Sequence, residues 1–370
     1  MGHARKQLLS IYISSICNLR CTYCALSSGR LNIDKEDLVI DLPFAYKGID
    51  DFFRDFPSRG VRFYSSGEVT TQMDTFKKIT EYIKGKNEPN TYLELQTNGF
   101  FSDETSNWIE NNMDFVWISF DGLPVYQDKN RPTANGRKTS DVVVNNIKKF
   151  SDSNIIDIGI RVTLTPEMLD HQIEIIDYLD KLKIKYISVE RAYSSVNHNL
   201  YTEEKTSPEY FAKKFVEAFN YSSNKGIFYN HFNMVNFDEP CRFFCRSCIP
   251  YPHLTTDGYV TCCDMAPYGK DKYKDYTLPD LVYGKYDYNT NRIIYDEEQI
   301  YRIRQKNVDI LSKTICKDCD IVENCVGGCL GQSYNNSGKI VSKCDWDCAV
   351  TKYLAQHLPL NKAIYPILHP

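Results

Sequence analysis

Leu8-Leu9-Ser10-Ile11-Tyr12-Ile13, followed closely by Cys17-Asn18-Leu19-Arg20-Cys21-Thr22-Tyr23-Cys24, is the stretch that decides how this chain folds. The run of apolar, β-branched and aromatic residues predicts a buried strand. The loop behind it carries three cysteines at C-x3-C-x2-C spacing, with an aromatic residue just before the last. Three thiolates so spaced can hold three irons of a four-iron cluster and leave the fourth iron open, because each iron takes one strong ligand from the protein or from a substrate. A zinc knuckle would ordinarily supply a fourth ligand nearby, and here the next Cys or His is far along the chain.

The strand and the segment Cys17 to Cys24 resemble the radical S-adenosylmethionine (radical SAM) superfamily. That resemblance implies an open iron that chelates the amino and carboxylate groups of S-adenosylmethionine and yields a 5'-deoxyadenosyl radical. The cofactors then carry the hard chemistry and the protein positions them. It also implies an external one-electron reductant such as flavodoxin or ferredoxin.

Working outward, 370 residues exceed the usual single domain, so two domains or one with a large extension are expected. A formal net charge of -4 gives no global electrostatic footprint for nucleic acid or anionic membrane. No apolar run approaches membrane-spanning length, and Met1-Gly2-His3-Ala4-Arg5-Lys6-Gln7 is not a signal segment. The expected location is the cytoplasm, without membrane or nucleic-acid partners. Fourteen cysteines in a chain of this kind point to metal or cluster ligation and not to a secretory disulfide framework.

Short apolar runs alternate with helical patterns up to residue 191, the sign of repeated βα units around a parallel sheet. Strands are expected at 8–14, 61–65, 92–97, 115–120, 156–164 and 185–190, and helices at 42–56, 74–85, 103–111, 140–151 and 170–182. Ser102-Asp103-Glu104 and Thr165-Pro166-Glu167 look like helix starts. Six strands and five helices suit an α/β fold with a partial (β/α)6 TIM-like barrel, which the resemblance also implies; a doubly wound sheet would give the same alternation. In both, functional loops follow the carboxyl ends of the strands. The expected division is a barrel over 1–191, a bridging segment over 192–240 with one helix at 208–221, and a cysteine-rich domain over 241–370 with few regular strands and a C-terminal helix.

Ser65-Ser66-Gly67-Glu68 closes the second strand, where the superfamily has a Gly-Gly-Glu run for the amino group of S-adenosylmethionine; Ser66 replaces the first glycine. Glu68 has the charge to accept from an ammonium, and Gly67 permits close backbone approach. Thr97 and Asn98 end the third strand, and Ser119 and Asp121 end the fourth, the latter two proposed for the ribose hydroxyls. Arg161, Glu190 and Arg191 are weaker candidates, since an interior arginine often only neutralises a carboxylate. Tyr23 is expected near the adenine.

Cys316, Cys319, Cys325 and Cys329 form C-x2-C-x5-C-x3-C, preceded by Cys248, nine residues, Gly258, four residues and Cys263. This pattern resembles the SPASM extension, which carries two auxiliary clusters and so implies three [4Fe-4S] clusters in all. Carried over, the first auxiliary site uses Cys248, Cys263, Cys329 and either Cys241 or Cys245. The second uses Cys316, Cys319, Cys325 and either Cys344 or Cys348. Cys262 is surplus. Asp264, directly after Cys263, matches in position the aspartate that takes a proton in the sulfatase-maturing branch.

The resemblance therefore implies a radical SAM oxidoreductase that oxidatively modifies a peptide or protein residue. The rivals are a dehydrogenase or epimerase of a small sugar-like metabolite and a non-enzymatic iron-sulfur or zinc protein. The first strand begins within about ten residues, so no N-terminal recognition domain of the kind many peptide-modifying relatives carry is expected.

Overall fold

The computed structural model describes residues 8–24, 31–153, 155–192 and 207–359. Each expected strand forms: β1 (Leu8–Tyr12), β2 (Gly60–Tyr64), β3 (Tyr92–Thr97), β4 (Phe115–Ser119), β5 (Asp157–Leu164) and β6 (Tyr186–Arg191). They pair in that order, all parallel. Between them run α1 (Leu42–Asp55), α2 (Met73–Gly85), α3 (Asp103–Glu110), α4 (Pro124–Asn130), α5 (Ser140–Asp152) and α6 (Gln172–Lys181). The short α4 has no counterpart among the expected helices.

Strand alternation separates two faces. Ile11, Phe63, Leu95, Ile118, Ile160 and Val189 are fully buried and belong to one apolar core under the helices. On the other face the register aligns Ser10 with Arg62, Arg62 with Glu94, Ser119 with Arg161 and Thr163 with Glu190. That inner face is polar, though Ser10, Arg62 and Glu94 on it are buried. Its lower part is closed by aromatic packing: Phe115 and Trp117 have ring centroids 4.9 Å apart.

The helix starts follow local chemistry. Asp41 caps α1 by accepting from Phe44 N, and Ser102 caps α3 by accepting from Thr105 N. Thr165-Pro166 opens a 3-10 turn, Pro166–His171, ahead of α6.

Two expectations change. The bridging segment carries its expected helix as α7 (Pro208–Asn224), capped by Ser207, but also adds β7 (Phe228–Asn230), which pairs parallel to β6 and makes seven parallel strands. The cysteine-rich half, expected to hold few strands, extends the same sheet. There β8 (His253–Leu254) pairs parallel to β1, and β9 (Tyr259–Thr261), β10 (Val282–Asp287) and β11 (Arg292–Tyr295) continue antiparallel. The unpaired edge of β1 is the physical reason, because its free backbone groups need partners. The described sheet thus has eleven strands, with β11 and β7 at its edges, a mixed α/β sheet resembling a partial barrel. No described helix is long and apolar enough to cross a membrane.

The remaining helices are α8 (Glu297–Ile303), α9 (Val308–Leu311), α10 (Val322–Cys325), α11 (Leu330–Ser337) and α12 (Asp345–His357). The expected C-terminal helix is α12. It packs on α7, where Trp346 meets Phe211 edge to face at 5.2 Å.

Gly67 shows how the fold positions the site. Its N–H donates to Ser14 O at 2.9 Å, and a Cβ there would lie 2.2 Å from Ile16 O. The loop after β2 is therefore pressed against the loop that leads to Cys17. Gly67→Ala should cost about 1–3 kcal/mol, since backbone on both sides must move. A thermal melt unchanged from wild type would show that the loops separate freely.

Candidate active site and cysteine centres

Cys17, Cys21 and Cys24 line one cavity of about 280 Å³ at the carboxyl ends of the parallel strands. Their loop is stitched to the segment after α4: Arg20 N donates to Pro132 O and Thr22 N to Asn130 O, both at 2.8 Å, and Ala134 N donates to Asn18 O at 2.9 Å. Arg20 Nη1 also donates to the carbonyls of Cys17 and Leu19 at 2.8 Å. Burial pushes the Cys17 thiol up to about 12 and raises that of Cys21. Thiolates here need a cationic partner, which is the chemistry of a metal or cluster site. Among the described residues, no three His, Cys, Asp or Glu side chains are grouped to share one metal ion.

Glu68 lies in the wall of this cavity, only 2% exposed. Oε1 accepts from Thr70 N at 3.1 Å, Thr70 Oγ1 at 2.9 Å and Thr97 Oγ1 at 2.6 Å, while Oε2 accepts from Asn98 N at 2.7 Å. Burial raises its pKa and these bonds oppose the rise. An ionised carboxylate has about four lone-pair sites, so Oε2 keeps room for one further donor. Ser66, 1% exposed, is bonded to Ser15 Oγ at 3.1 Å and accepts from Tyr268 Oη at 3.2 Å. Asn98 Nδ2 reaches Asn18 Oδ1 in the cysteine loop at 2.7 Å.

Ser119 and Asp121 do not share a task. Ser119 lines the cavity, whereas Asp121 is fully buried and accepts from Tyr23 Oη at 2.7 and 2.9 Å and from Asn130 Nδ2 at 3.1 Å. β4 ends at Ser119, so strand alternation no longer governs the direction of Asp121. Tyr23 is in the cavity wall, and Arg131 Nη1 donates to its hydroxyl at 3.0 Å. Arg131 lines the cavity and was missed in the sequence because it follows a short helix and not a strand.

The far wall holds Arg161, Glu190 and Arg191 together with Gln96, whose Oε1 accepts from Arg161 Nη1 at 3.3 Å. Burial pushes Glu190 up to about 8, against the attraction of Arg161. His231 sits 3.4 Å from Glu190 Oε2 through Nε2. Its Nδ1 accepts from Asn233 N at 3.2 Å, so Nε2 carries the proton of a neutral ring. Burial and Arg191 lower the His231 pKa to about 3. The Arg191 guanidinium stacks over Trp346 of α12 at 3.8 Å.

The remaining cysteines gather into two sets. Cys316, Cys319, Cys325 and Cys348 line one small hollow with Gly327 and Gly328. Cys344 instead stands at the N-cap position of α12, and its Sγ accepts from Asn336 Nδ2 at 3.0 Å. In the other set, Cys245 interacts electrostatically with Cys248, Cys263 and Cys329. Cys241 Sγ faces Asn324 O at 3.8 Å. Cys262 is fully buried in the apolar core.

Residues 11–179 match the sequence profile of the Radical SAM superfamily. Over that stretch the chain is similar to the superfamily. Over 140 residues the chain is 27% identical to a cysteine-type anaerobic sulfatase-maturating enzyme of Clostridium novyi (strain NT), a match spanning 36% of this chain and 37% of that protein. Among solved structures, native anSMEcpe with bound AdoMet superposes at a TM-score of 0.73, with 18% identity over 95% of this chain and 96% of its own. Streptococcus suis SuiB bound to S-adenosylmethionine gives 0.62, with 15% identity over 93% of this chain and 77% of its own. At these identities the structures speak for the fold alone.

Asp264 lies outside the cavity. It is ion-paired with Arg62 of β2, 3.4 Å from His253 Nδ1 and 3.9 Å from Arg246. Burial opposes ionisation, but Arg62, His253 and Arg246 prevail and hold the carboxyl well below the usual range. Neither Arg62 nor Arg246 was legible as a site residue; Arg62, for one, meets Asp264 across 202 positions of sequence.

The raised pKa of Glu190 has a consequence for stability against pH. Its folded pKa, about 8, lies above the unfolded value near 4.3, so the native state holds the extra proton between the two. Stability from this group is full below the unfolded value and lost as pH rises through about 8. Glu190→Gln stays neutral, so its stability relative to wild type should rise between pH 5 and pH 9 by a difference on the order of a few kcal/mol, read from denaturant unfolding across that range. A constant difference would contradict the raised pKa.

Proposed function

We propose that this protein binds a [4Fe-4S] cluster at Cys17, Cys21 and Cys24 and S-adenosylmethionine in the adjoining cavity, and uses them to oxidise a peptide or protein residue. The observation that carries the reading is one cavity lined at once by three cysteine thiols and by polar groups from five strand ends. When bound, the cluster and S-adenosylmethionine supply a 5'-deoxyadenosyl radical that removes a hydrogen atom from a substrate carbon.

This chain's residues bind and orient. Glu68 Oε2 retains one acceptor site for the cofactor's ammonium, and Gly67 and Ser66 bring backbone close to it. Arg161 offers a guanidinium to the carboxylate. Ser119 and the Thr97-Asn98 strand end supply polar contacts, and Tyr23, held by Asp121 and Arg131, walls off water. Asp121 acts as a positioning residue.

The two further cysteine sets fit auxiliary clusters, with Cys245, Cys248, Cys263 and Cys329 in one and Cys316, Cys319, Cys325 and Cys348 in the other. Cys245 is preferred to Cys241 and Cys348 to Cys344 on the placements described above. Asp264 is the proposed proton acceptor after hydrogen abstraction. It enters ionised at neutral pH, and proton uptake requires its pairing with Arg62 to loosen. The peptide preference is supported by the likeness to structures solved with bound peptides, anSMEcpe with AdoMet and Cp18Cys peptide and SuiB with precursor peptide SuiA.

Anaerobically reconstituted protein should hold about twelve irons per chain, and replacing Cys17, Cys21 and Cys24 by Ala should remove about four of them with all formation of 5'-deoxyadenosine. Stoichiometric zinc with no iron would sink the reading. Asp264→Asn keeps size and loses the base, so it should still cleave S-adenosylmethionine while forming less than about a tenth of the wild-type product. Undiminished product would exclude the role. Deuterium from a labelled peptide should appear in 5'-deoxyadenosine; transfer from a sugar alone would favour the small-metabolite rival.

A further inference from the structure

Lys306, between α8 and α9, is fully buried. Its ammonium donates to Gly327 O at 3.0 Å, Ser333 Oγ at 3.2 Å and Ser342 O at 2.5 Å. Three donors meet three acceptors, all of them neutral. Among the described residues, no Asp or Glu is within ion-pair distance of it; Asp347 feels its charge only at longer range. An ammonium in a dry interior without a close counter-anion is costly, so the negative charge it answers must come from something else around it.

That charge is available on both sides. Lys306 interacts electrostatically with Cys245, Cys248 and Cys329 of one set and with Cys316 and Cys325 of the other. Its position follows from the turn it holds. Val326, Gly327 and Gly328 all have left-handed backbone, with φ of 43°, 69° and 70°. This reversal lets Cys325 enter one set while Cys329, four residues on, enters the other. The Gly327 carbonyl at its centre is the one Lys306 binds, and a Cβ on Gly327 would stand 3.3 Å from the ammonium.

We propose that Lys306 is the shared counter-cation of the two auxiliary cysteine sites and raises the reduction potential of the clusters they hold. The proposal rests on the auxiliary-cluster reading above. A cubane with four thiolates carries net negative charge and gains one more on reduction, so a fixed positive charge beside it favours the reduced form. One lysine placed between two sites acts on both. It is a positioning residue, remote from the cavity at the strand ends.

The test uses the full chain with Cys17, Cys21 and Cys24 replaced by Ala, so that only auxiliary clusters report. Lys306→Gln keeps amide donors and loses the charge; Lys306→Arg keeps the charge. Iron per chain is measured, and potentials are read by redox titration followed by electron paramagnetic resonance. The Gln variant should keep its iron and reduce at more negative potentials at both sites, with the Arg variant closer to wild type. Iron lost in the Gln variant and kept in the Arg variant would equally show that the charge is required. Full iron with wild-type potentials in the Gln variant would overturn the proposal, as would equal shifts or equal loss of iron in both variants. Absence of iron from the parent chain would remove the auxiliary-cluster reading itself, and this proposal with it.

Discussion

The polar inner face of the parallel sheet is the constraint on which the rest of the structure depends. Ser10, Arg62 and Glu94 share one register, and the place of Arg62 in its strand is not free: shifting β2 by one residue would turn Val61 and Phe63 inward and drive the arginine into the apolar core. Buried charges on the inner face must be answered by other charges or hydrogen bonds, and Arg62 finds Asp264 while Arg161 finds Gln96. An apolar inner face would have needed none of this.

The cysteine-rich half supplies much of the answer. It contributes Asp264, Arg246 and His253 to the inner face and extends the sheet from the free edge of β1. Tyr268 reaches Ser15 and Ser66 beside the cysteine loop. On the opposite side, Trp346 of α12 lies under Arg191 at the end of β6. The residues that line the cavity lie between Cys17 and Arg191, and the cysteine-rich half braces two of them, Ser66 through Tyr268 and Arg191 through Trp346.

The two later cysteine sets depend on a crossing. Cys329 lies four residues after Cys325 yet gathers with Cys245, Cys248 and Cys263, which requires the chain to reverse at Val326-Gly327-Gly328. Buried thiols at such a crossing have raised pKa values, Cys263 and Cys325 to about 12. Thiolate ligation at the proposed auxiliary sites would replace the lost protons with metal charge, and would then couple cluster assembly to the folding of this half, as zinc binding couples to the folding of small domains.

The sequence alone determined the parallel strands, most of their helices and the three-cysteine loop, because these are local: a period of two or 3.6, a cap, a short spacing. Gly67 and Glu68 were legible for the same reason, at a strand end. Only tertiary structure decided that Asp121 holds Tyr23 and does not line the cavity, and that Arg131 does. It also decided that Cys245 gathers with Cys248, Cys263 and Cys329, and that Cys348 and not Cys344 lines the hollow with Cys316, Cys319 and Cys325. The pairing of β8 with the edge of β1 and the meeting of Arg62 with Asp264 belong to the same class. Those outcomes depend on contacts between residues far apart in the chain, 202 positions for Arg62 and Asp264, and no local period or spacing records which distant surface a side chain will meet.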